Sequence, residues 1–289
     1  MSAAGFVTRF APSPTGRLHL GHAFSALTAF AAARAAHGRF LLRIEDIDAT
    51  RARPAFEAAI YDDLAWLGLE WETPVRRQSE HMDDYAAALE QLRSAGLLYR
   101  CFRTRKEIAE AATSAPHGAG PDYGFRGAAL PPEREAALLA EGRPFAWRLS
   151  LDAARIALGP AWSGLSFVEE GEAPIQGRET VLADPGRHGD IVLARKDVGV
   201  AYHLAVVVDD ALQGVTHVIR GEDLFEAAHV QRLLQALLGL PTPIYRHHRL
   251  LLGPDGKRLA KRNGAKSLGD LREGGASPEA VRAELGFAW

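Results

Sequence analysis

Two imidazoles, His19 and His22, flank Leu20 and Gly21 at the end of the stretch R-F-A-P-S-P-T-G-R-L-H-L-G-H, residues 9–22. A short β-branched and aromatic run (Phe6, Val7, Thr8, Phe10) precedes this stretch and a long Ala-rich run follows it. That order places a Pro- and Gly-punctuated turn between the carboxyl end of a first strand and the start of a first helix, where open α/β sheets bind ligands. Backbone N–H groups and the helix dipole at such a turn favour an anion such as phosphate. Pro12 and Pro14 stiffen the approach, and Gly16 and Gly21 let a ligand come close to the backbone. The plainer alternative is a strand–turn–helix with two surface histidines.

Other groups with chemical potential also fall at predicted strand ends. Phe40-Leu41-Leu42-Arg43-Ile44 reads as a buried strand that delivers Glu45, Asp46 and Asp48 to its carboxyl end. Of these, Glu45 is expected to reach the pocket. Asp48 could instead cap the next helix, and Asp46 could pair with Arg51. Arg220 ends the apolar run 215–220, and Tyr202 stands ahead of the run 205–210. Arg9, Glu45, Tyr202 and Arg220 together could hold a small zwitterion carrying an extra carboxylate. Residues 246–266 contain seven Lys or Arg against one acid, Asp255, around a glycine-bracketed loop, G-K-R-L-A-K-R-N-G. No Ser/His/Asp or Cys/His set, metal-ligand spacing, G-x-G-x-x-G after the first strand or G-x-x-x-x-G-K-[ST] occurs. A phosphate turn and a separate basic loop suit transfer of a nucleotidyl group, where positioning and charge stabilisation do most of the work.

The elements that must position these groups read as β-α-β over residues 6–44, with the helix over 21–37 and Gly38 at its C-cap. Pro54 begins a helix whose Phe56, Ile60, Leu64 and Leu67 share one face, and Ser79 N-caps another that ends at Gly96. A strand over 97–102 precedes a capping box, Thr104 with Glu107, and then a Gly- and Pro-rich loop over 113–127. The parallel pattern resumes at 189–193, a helix covers 227–238 and is closed by Gly239 and Pro241, and Ser277-Pro278 opens a last short helix. The expected fold is α/β: a Rossmann-like parallel-sheet domain (1–96 and 189–245) split by an inserted α+β domain (97–188), then the basic loop and a helical segment (246–289).

Composition sets the outer limits. Hydrophobic residues make up 47% and charged residues 24%, the balance of an ordinary globular chain, and 289 residues suffice for two lobes. With 34 Lys+Arg against 36 Asp+Glu the net charge is −2, so a nucleic-acid partner needs a local basic patch. One cysteine, Cys101, excludes an intrachain disulfide. The amino terminus lacks a signal-peptide pattern and no apolar run is long enough to span a bilayer, so the expectation is a cytoplasmic protein with no membrane partner.

P-S-P-T-G-R-L-H-L-G-H with the later R-L-A-K-R resembles the H-I-G-H and K-M-S-K-S pair of class I aminoacyl-tRNA synthetases. The flanks R-F-A-P-S-P-T-G, L-R-I-E-D-I-D, Y-H-L-A-V-V-V-D-D and R-G-E-D-L resemble the glutamyl-tRNA synthetase branch, over nearly the whole chain. The sequence stops at Trp289, where that branch continues into a helical anticodon-binding domain. The resemblance therefore points to the truncated glutamyl-Q tRNA(Asp) synthetase family, without an anticodon-binding domain. That family activates L-glutamate with ATP and transfers it to the queuosine base in the anticodon of tRNA(Asp). A minimal enzyme charging the tRNA 3′ end and a catalytically silent tRNA-binding paralogue are the alternatives.

Carried over by matching motif, the resemblance implies a glutamate site of Arg9, Ala11, Ser13, Glu45, Tyr202 and Arg220. It implies ATP contacts from His19, Gly21, His22, Leu259, Lys261 and Arg262, with His19, His22 and Lys261 catalytic and Mg²⁺ accompanying ATP. Which arginine takes which carboxylate stays open. Two departures stand out. The zinc-binding C-x-C, Tyr and further Cys of many members reduce here to Cys101, so no structural zinc is expected. Ala260 stands where the basic motif usually has Ser, and Arg258 where it has Lys. Loss of a phosphate hydrogen bond of about 1 kcal/mol would slow the reaction without abolishing it.

Overall fold

A computed structural model describes residues 5–104, 107–108, 124–195, 199–252 and 266–289. Its centre is a parallel arrangement of β1 (Val7–Phe10), β2 (Arg39–Ile44) and β3 (Glu72–Arg77) beside β10 (His217–Gly221), β11 (Ile244–His248), β6 (Ser166–Glu169) and β7 (Glu179–Leu182). Within the two hydrogen-bonded sheets the orders are β1-β2-β3 and β10-β11-β6-β7, and only the β6–β7 pair is antiparallel. They meet where the Thr216 N–H donates to the Val7 carbonyl at 2.9 Å and the Val7 N–H donates to Thr216 Oγ1 at 2.8 Å. Strand order thus reverses between β1 and β10, which makes their carboxyl ends the crevice of the sheet.

Helix α1 (Leu20–Ala35) runs back from β1 and buries Ala23, Phe24, Ala26, Leu27, Ala29, Phe30 and Ala33. Small residues on this face let the helix lie close to the sheet. Its end differs from expectation. Ala36 is the C-cap, and His37 rather than Gly38 takes the left-handed conformation, at φ 49°. Gly38 is needed for space instead, since a Cβ there would lie 2.3 Å from the Phe6 carbonyl oxygen. Helix α2 (Pro54–Trp66) opens on its proline and buries Ile60 and Leu64 against the same core, as the helical spacing predicts.

Asp63 of α2 is only 2% exposed, and burial lifts its carboxyl to about 6 against the pull of Arg272 and Arg17. A raised carboxyl pKa contributes stability below the unfolded-state value of 3.8 that is lost as pH rises through about 6. Asp63→Asn is therefore expected to raise the unfolding free energy by ~1–3 kcal/mol at pH 8 and to change it little at pH 4. Denaturant titration at the two pH values checks this.

Helix α3 (Met82–Ser94) begins later than expected, with His81 rather than Ser79 at its N-cap. Ser79 lies in a preceding 3₁₀ turn, and its N–H (2.8 Å) and hydroxyl (2.6 Å) both donate to Asp46. Asp46 is thus engaged by Ser79, and Asp48 accepts from the Thr50 N–H and hydroxyl instead of capping α2. The capping box holds: the Thr104 N–H donates to Glu107 at 2.6 Å and the Glu107 N–H to Thr104 Oγ1 at 3.2 Å. Most of the loop expected over 113–127 lies outside the described residues.

The parallel pattern does not resume at 189–193. Strand β8 (Val192–Arg195) instead joins an all-antiparallel sheet of β4 (Leu98–Cys101), β5 (Ala146–Leu149), β8 and β9 (Gly199–Val200). Strand β6, from within 97–188, pairs with β11 of the parallel system, and β7 pairs antiparallel with β6 at the outer edge. The chain therefore crosses between the sheets more often than one insertion requires, because pairing partners far apart in sequence leave no local signal. Two short helices, α4 (Pro132–Ala140) and α5 (Leu151–Leu158), accompany this region.

The apolar run at 205–210 forms helix α6 (Tyr202–Leu212), with every residue from Leu204 to Asp210 buried. Three consecutive valines favour strand, but burial on all sides overrides that preference. Helix α7 (Phe225–Leu238) ends on Gly239 in the left-handed conformation, as the sequence indicates. After the basic stretch come α8 (Leu268–Glu273), N-capped by Ser267, and α9 (Pro278–Glu284), N-capped by Ser277 as expected.

Candidate active site

A cleft of about 360 Å³ opens at the strand-order reversal, between the carboxyl ends of β1 and β10. Arg9, Ala11, His19, Gly21, His22, Glu45, Tyr202 and Arg220 all line it. These residues come from four separate stretches of the sequence, and the fold brings them together. Ser13 does not line this cleft; it is exposed, and its hydroxyl donates to the Glu45 carbonyl at 2.6 Å. Its influence thus passes through the Glu45 backbone, whose N–H also donates to the Pro12 carbonyl at 3.0 Å. Leu259, Lys261 and Arg262 lie outside the described residues, as do Arg258 and Ala260. The flanks of that segment are placed: Leu250 and Leu251 line the cleft, and Ser267 bridges to His19.

The two histidines organise the helix end. The Gly21 N–H donates to His19 Nδ1 at 3.1 Å and the His19 N–H donates to His22 Nδ1 at 3.2 Å, a reciprocal capping box built from imidazoles. Each Nδ1 being an acceptor, the neutral ring carries its proton on Nε2. The rings lie 3.8 Å apart, and a Cβ on Gly21 would come within 3.0 Å of the His19 ring. Glycine therefore lets the first ring fold over the helix start.

Beneath the Arg9 and Glu45 end of the cleft lies a buried charge cluster. Arg9 Nε donates to Asp210 Oδ1 at 2.9 Å, and Arg43 stands 2.9 Å from Asp210, 3.4 Å from Glu45 and 3.6 Å from Asp209. Burial pushes the Asp210 carboxyl up, but Arg9 and Arg43 outweigh it and hold it below the usual carboxylate range. For Glu45 burial wins over Arg43 and Arg9, and its carboxyl is raised. Burial also raises the Tyr202 phenol, against the opposing pull of Arg220. Arg220 differs from Arg9 in its company. Its guanidinium donates to His247 Nε2 at 3.0 Å, Gln231 Oε1 at 2.9 Å and the Leu224 carbonyl at 2.9 Å, all neutral acceptors.

Asp210, Arg43, Gln231, Glu169 and His247 were not singled out by sequence reading as site residues. Two adjacent acids closing an apolar run, Asp209-Asp210, were a usable signal; Glu169 and His247 carried none. Among the described residues no group of three or more His, Cys, Asp or Glu could hold a metal ion, and no helix is long and apolar enough to cross a membrane.

A turn at a switch point, flanked by carboxylate and guanidinium groups, is an arrangement suited to an anion beside a zwitterion. Residues 6–287 match the family described as tRNA synthetases class I (E and Q), catalytic domain, and the chain belongs to that family. Within it, the chain is 49% identical over 285 residues to a glutamyl-Q tRNA(Asp) synthetase of Rhodobacter capsulatus, covering 97% of this chain and 100% of that protein. A protein of the same name from Symbiobacterium thermophilum is 43% identical, over 96% of this chain and 85% of its own length. A crystal structure of a glutamate tRNA ligase from Elizabethkingia meningosepticum, in complex with its amino acid, superposes with a TM-score of 0.69 at 31% identity. That match covers 90% of this chain and 52% of the ligase chain.

Proposed function

We propose that the protein activates L-glutamate with ATP and transfers the glutamyl group to the queuosine base in the anticodon of tRNA(Asp). The observation that carries this reading is the convergence of Arg9, Glu45, Tyr202 and Arg220 with His19 and His22 on one cleft. A ligand spanning it would meet cations and a phenol suited to carboxylates, an anion suited to an ammonium, and imidazole N–H groups suited to phosphate. The names of the two glutamyl-Q relatives support the choice of amino acid and of RNA.

In the first half-reaction the glutamate α-carboxylate attacks the α-phosphate of ATP in line, and pyrophosphate leaves. Glu45 holds the ammonium, and Arg9, Tyr202 and Arg220 hold carboxylate oxygens. His19 and His22 donate to phosphate oxygens, and Lys261 offsets the charge developing on the leaving pyrophosphate. Mg²⁺ travels with the triphosphate, since the cleft's own donor set is mainly cationic. In the second half-reaction a hydroxyl of the queuosine cyclopentenediol attacks the adenylate carbonyl and AMP departs.

Pyrophosphate exchange into ATP tests the first half-reaction. Exchange with glutamate and without tRNA is expected; no exchange with any amino acid would point to a silent paralogue, and a strict requirement for tRNA to a 3′-end charging enzyme.

A further inference from the structure

The two cleft arginines are neutralised in different ways. Arg9 meets a carboxylate directly, with Asp210 at 2.9 Å. Arg220 is 5% exposed and equally in need of a counter-charge, yet its nearest partner in that direction is an imidazole. His247 Nε2 accepts from Arg220 Nε at 3.0 Å, and on the far side of the ring Nδ1 lies 2.7 Å from Glu169 Oε2. The second carboxylate oxygen, Oε1, accepts the His247 backbone N–H at 2.7 Å. Glu169 and His247 are both fully buried side chains. This is an ion pair with a neutral ring inserted between its halves.

We propose that Glu169 and His247 are positioning residues for Arg220, holding its guanidinium aimed into the cleft while keeping its charge unspent for a substrate carboxylate. A direct carboxylate partner would occupy the Nε–Nη fork and cancel much of the attraction for a second anion. The interposed imidazole satisfies Nε through a neutral acceptor and keeps the compensating charge one ring farther away. Its tautomer follows from Glu169: a carboxylate at Nδ1 fixes the proton there and leaves the Nε2 lone pair for Arg220. Burial, with a smaller opposing effect of the Glu169 hydrogen bond, keeps the His247 ring below its ordinary pKa, so it stays neutral. Gln231 Oε1 and the Leu224 carbonyl hold the other two guanidinium nitrogens, and His247 supplies the third point that fixes the plane of the group.

The inference rests on the reading of Arg220 as a glutamate contact. Its test is steady-state pyrophosphate exchange by the full chain, with KM for glutamate and for ATP measured separately. His247→Leu is expected to raise the glutamate KM about tenfold or more and to move the ATP KM less than twofold. His247→Gln, whose side-chain oxygen can still accept from Arg220, is expected to recover most of that loss, and the Glu169 variant decides the matter if the leucine variant does not fold. Glu169→Gln, which frees the ring to turn its proton toward Arg220, is expected to raise the glutamate KM while unfolding remains cooperative. Equal shifts in both KM values, or a fall in kcat with the glutamate KM unchanged, would show a merely structural role and overturn the proposal. Wild-type exchange with glutamate but unaffected variants would overturn this inference alone; no wild-type exchange with glutamate would remove the functional reading as well.

Discussion

Glu45→Ala is expected to raise the glutamate KM by about two orders of magnitude while the ATP KM moves severalfold at most. An ammonium placed against a buried carboxylate gains a charge-assisted hydrogen bond whose loss costs roughly 2–4 kcal/mol, or about 30- to 1000-fold in binding. The cluster itself survives the change, because Arg43 keeps Asp210 at 2.9 Å and Asp209 at 3.6 Å. A pH signature accompanies it. Burial raises the Glu45 carboxyl, against Arg43 and Arg9, so on acidification it loses its charge above the ordinary carboxylate range. The wild-type glutamate KM should therefore rise as pH falls through that raised pKa, and the ATP KM should not follow. Initial rates with each substrate varied across acidic pH measure both effects, and a selective ATP defect in Glu45→Ala would refute the assignment.

Asp209→Ala is expected to be the most destabilising single change. Its fully buried carboxylate accepts from Arg76 Nε at 2.7 Å, Gln78 Nε2 at 2.8 Å and the Tyr85 hydroxyl at 2.9 Å, with Arg43 Nε at 3.6 Å. These partners come from β2, β3, the turn after it and α3, so one side chain on α6 ties four segments together. Removing one member of a buried charged set leaves the others desolvated and unpaired, at about 3–5 kcal/mol, against a total stability of roughly 5–15 kcal/mol. The thermal midpoint should fall by roughly 10 °C. Differential scanning calorimetry checks this, and a fall of a degree or two would contradict the network's importance. The same carboxylate also anchors Arg43, so residual folded protein should bind glutamate more weakly.

The parts of the site that sequence made visible are those whose chemistry is local. His19 and His22 needed only the turn between them, and Glu45 needed only the end of the strand before it. Local signals also gave the capping box at Thr104, the cap at Ser277 and the αL close at Gly239. What sequence could not show are pairings across long separations. Arg9 and Asp210 are 201 residues apart and His247 and Glu169 are 78 apart, with nothing near either member to announce the other. The same blindness affects strand β8, whose apolar run fits a parallel sheet as well as the antiparallel one it joins. Ser79 carried a good N-cap residue type, yet Asp46, 33 residues away, took its hydroxyl.

This cleft activates a glutamyl group for a modified anticodon base. The most direct measurement of that activity is transfer of labelled glutamate, with ATP, to tRNA(Asp) with and without queuosine. Label retained only on the queuosine-containing tRNA, and located in its anticodon loop, is the expected result. Equal labelling of both tRNAs, or label on the 3′ end of tRNA(Glu), would contradict the account.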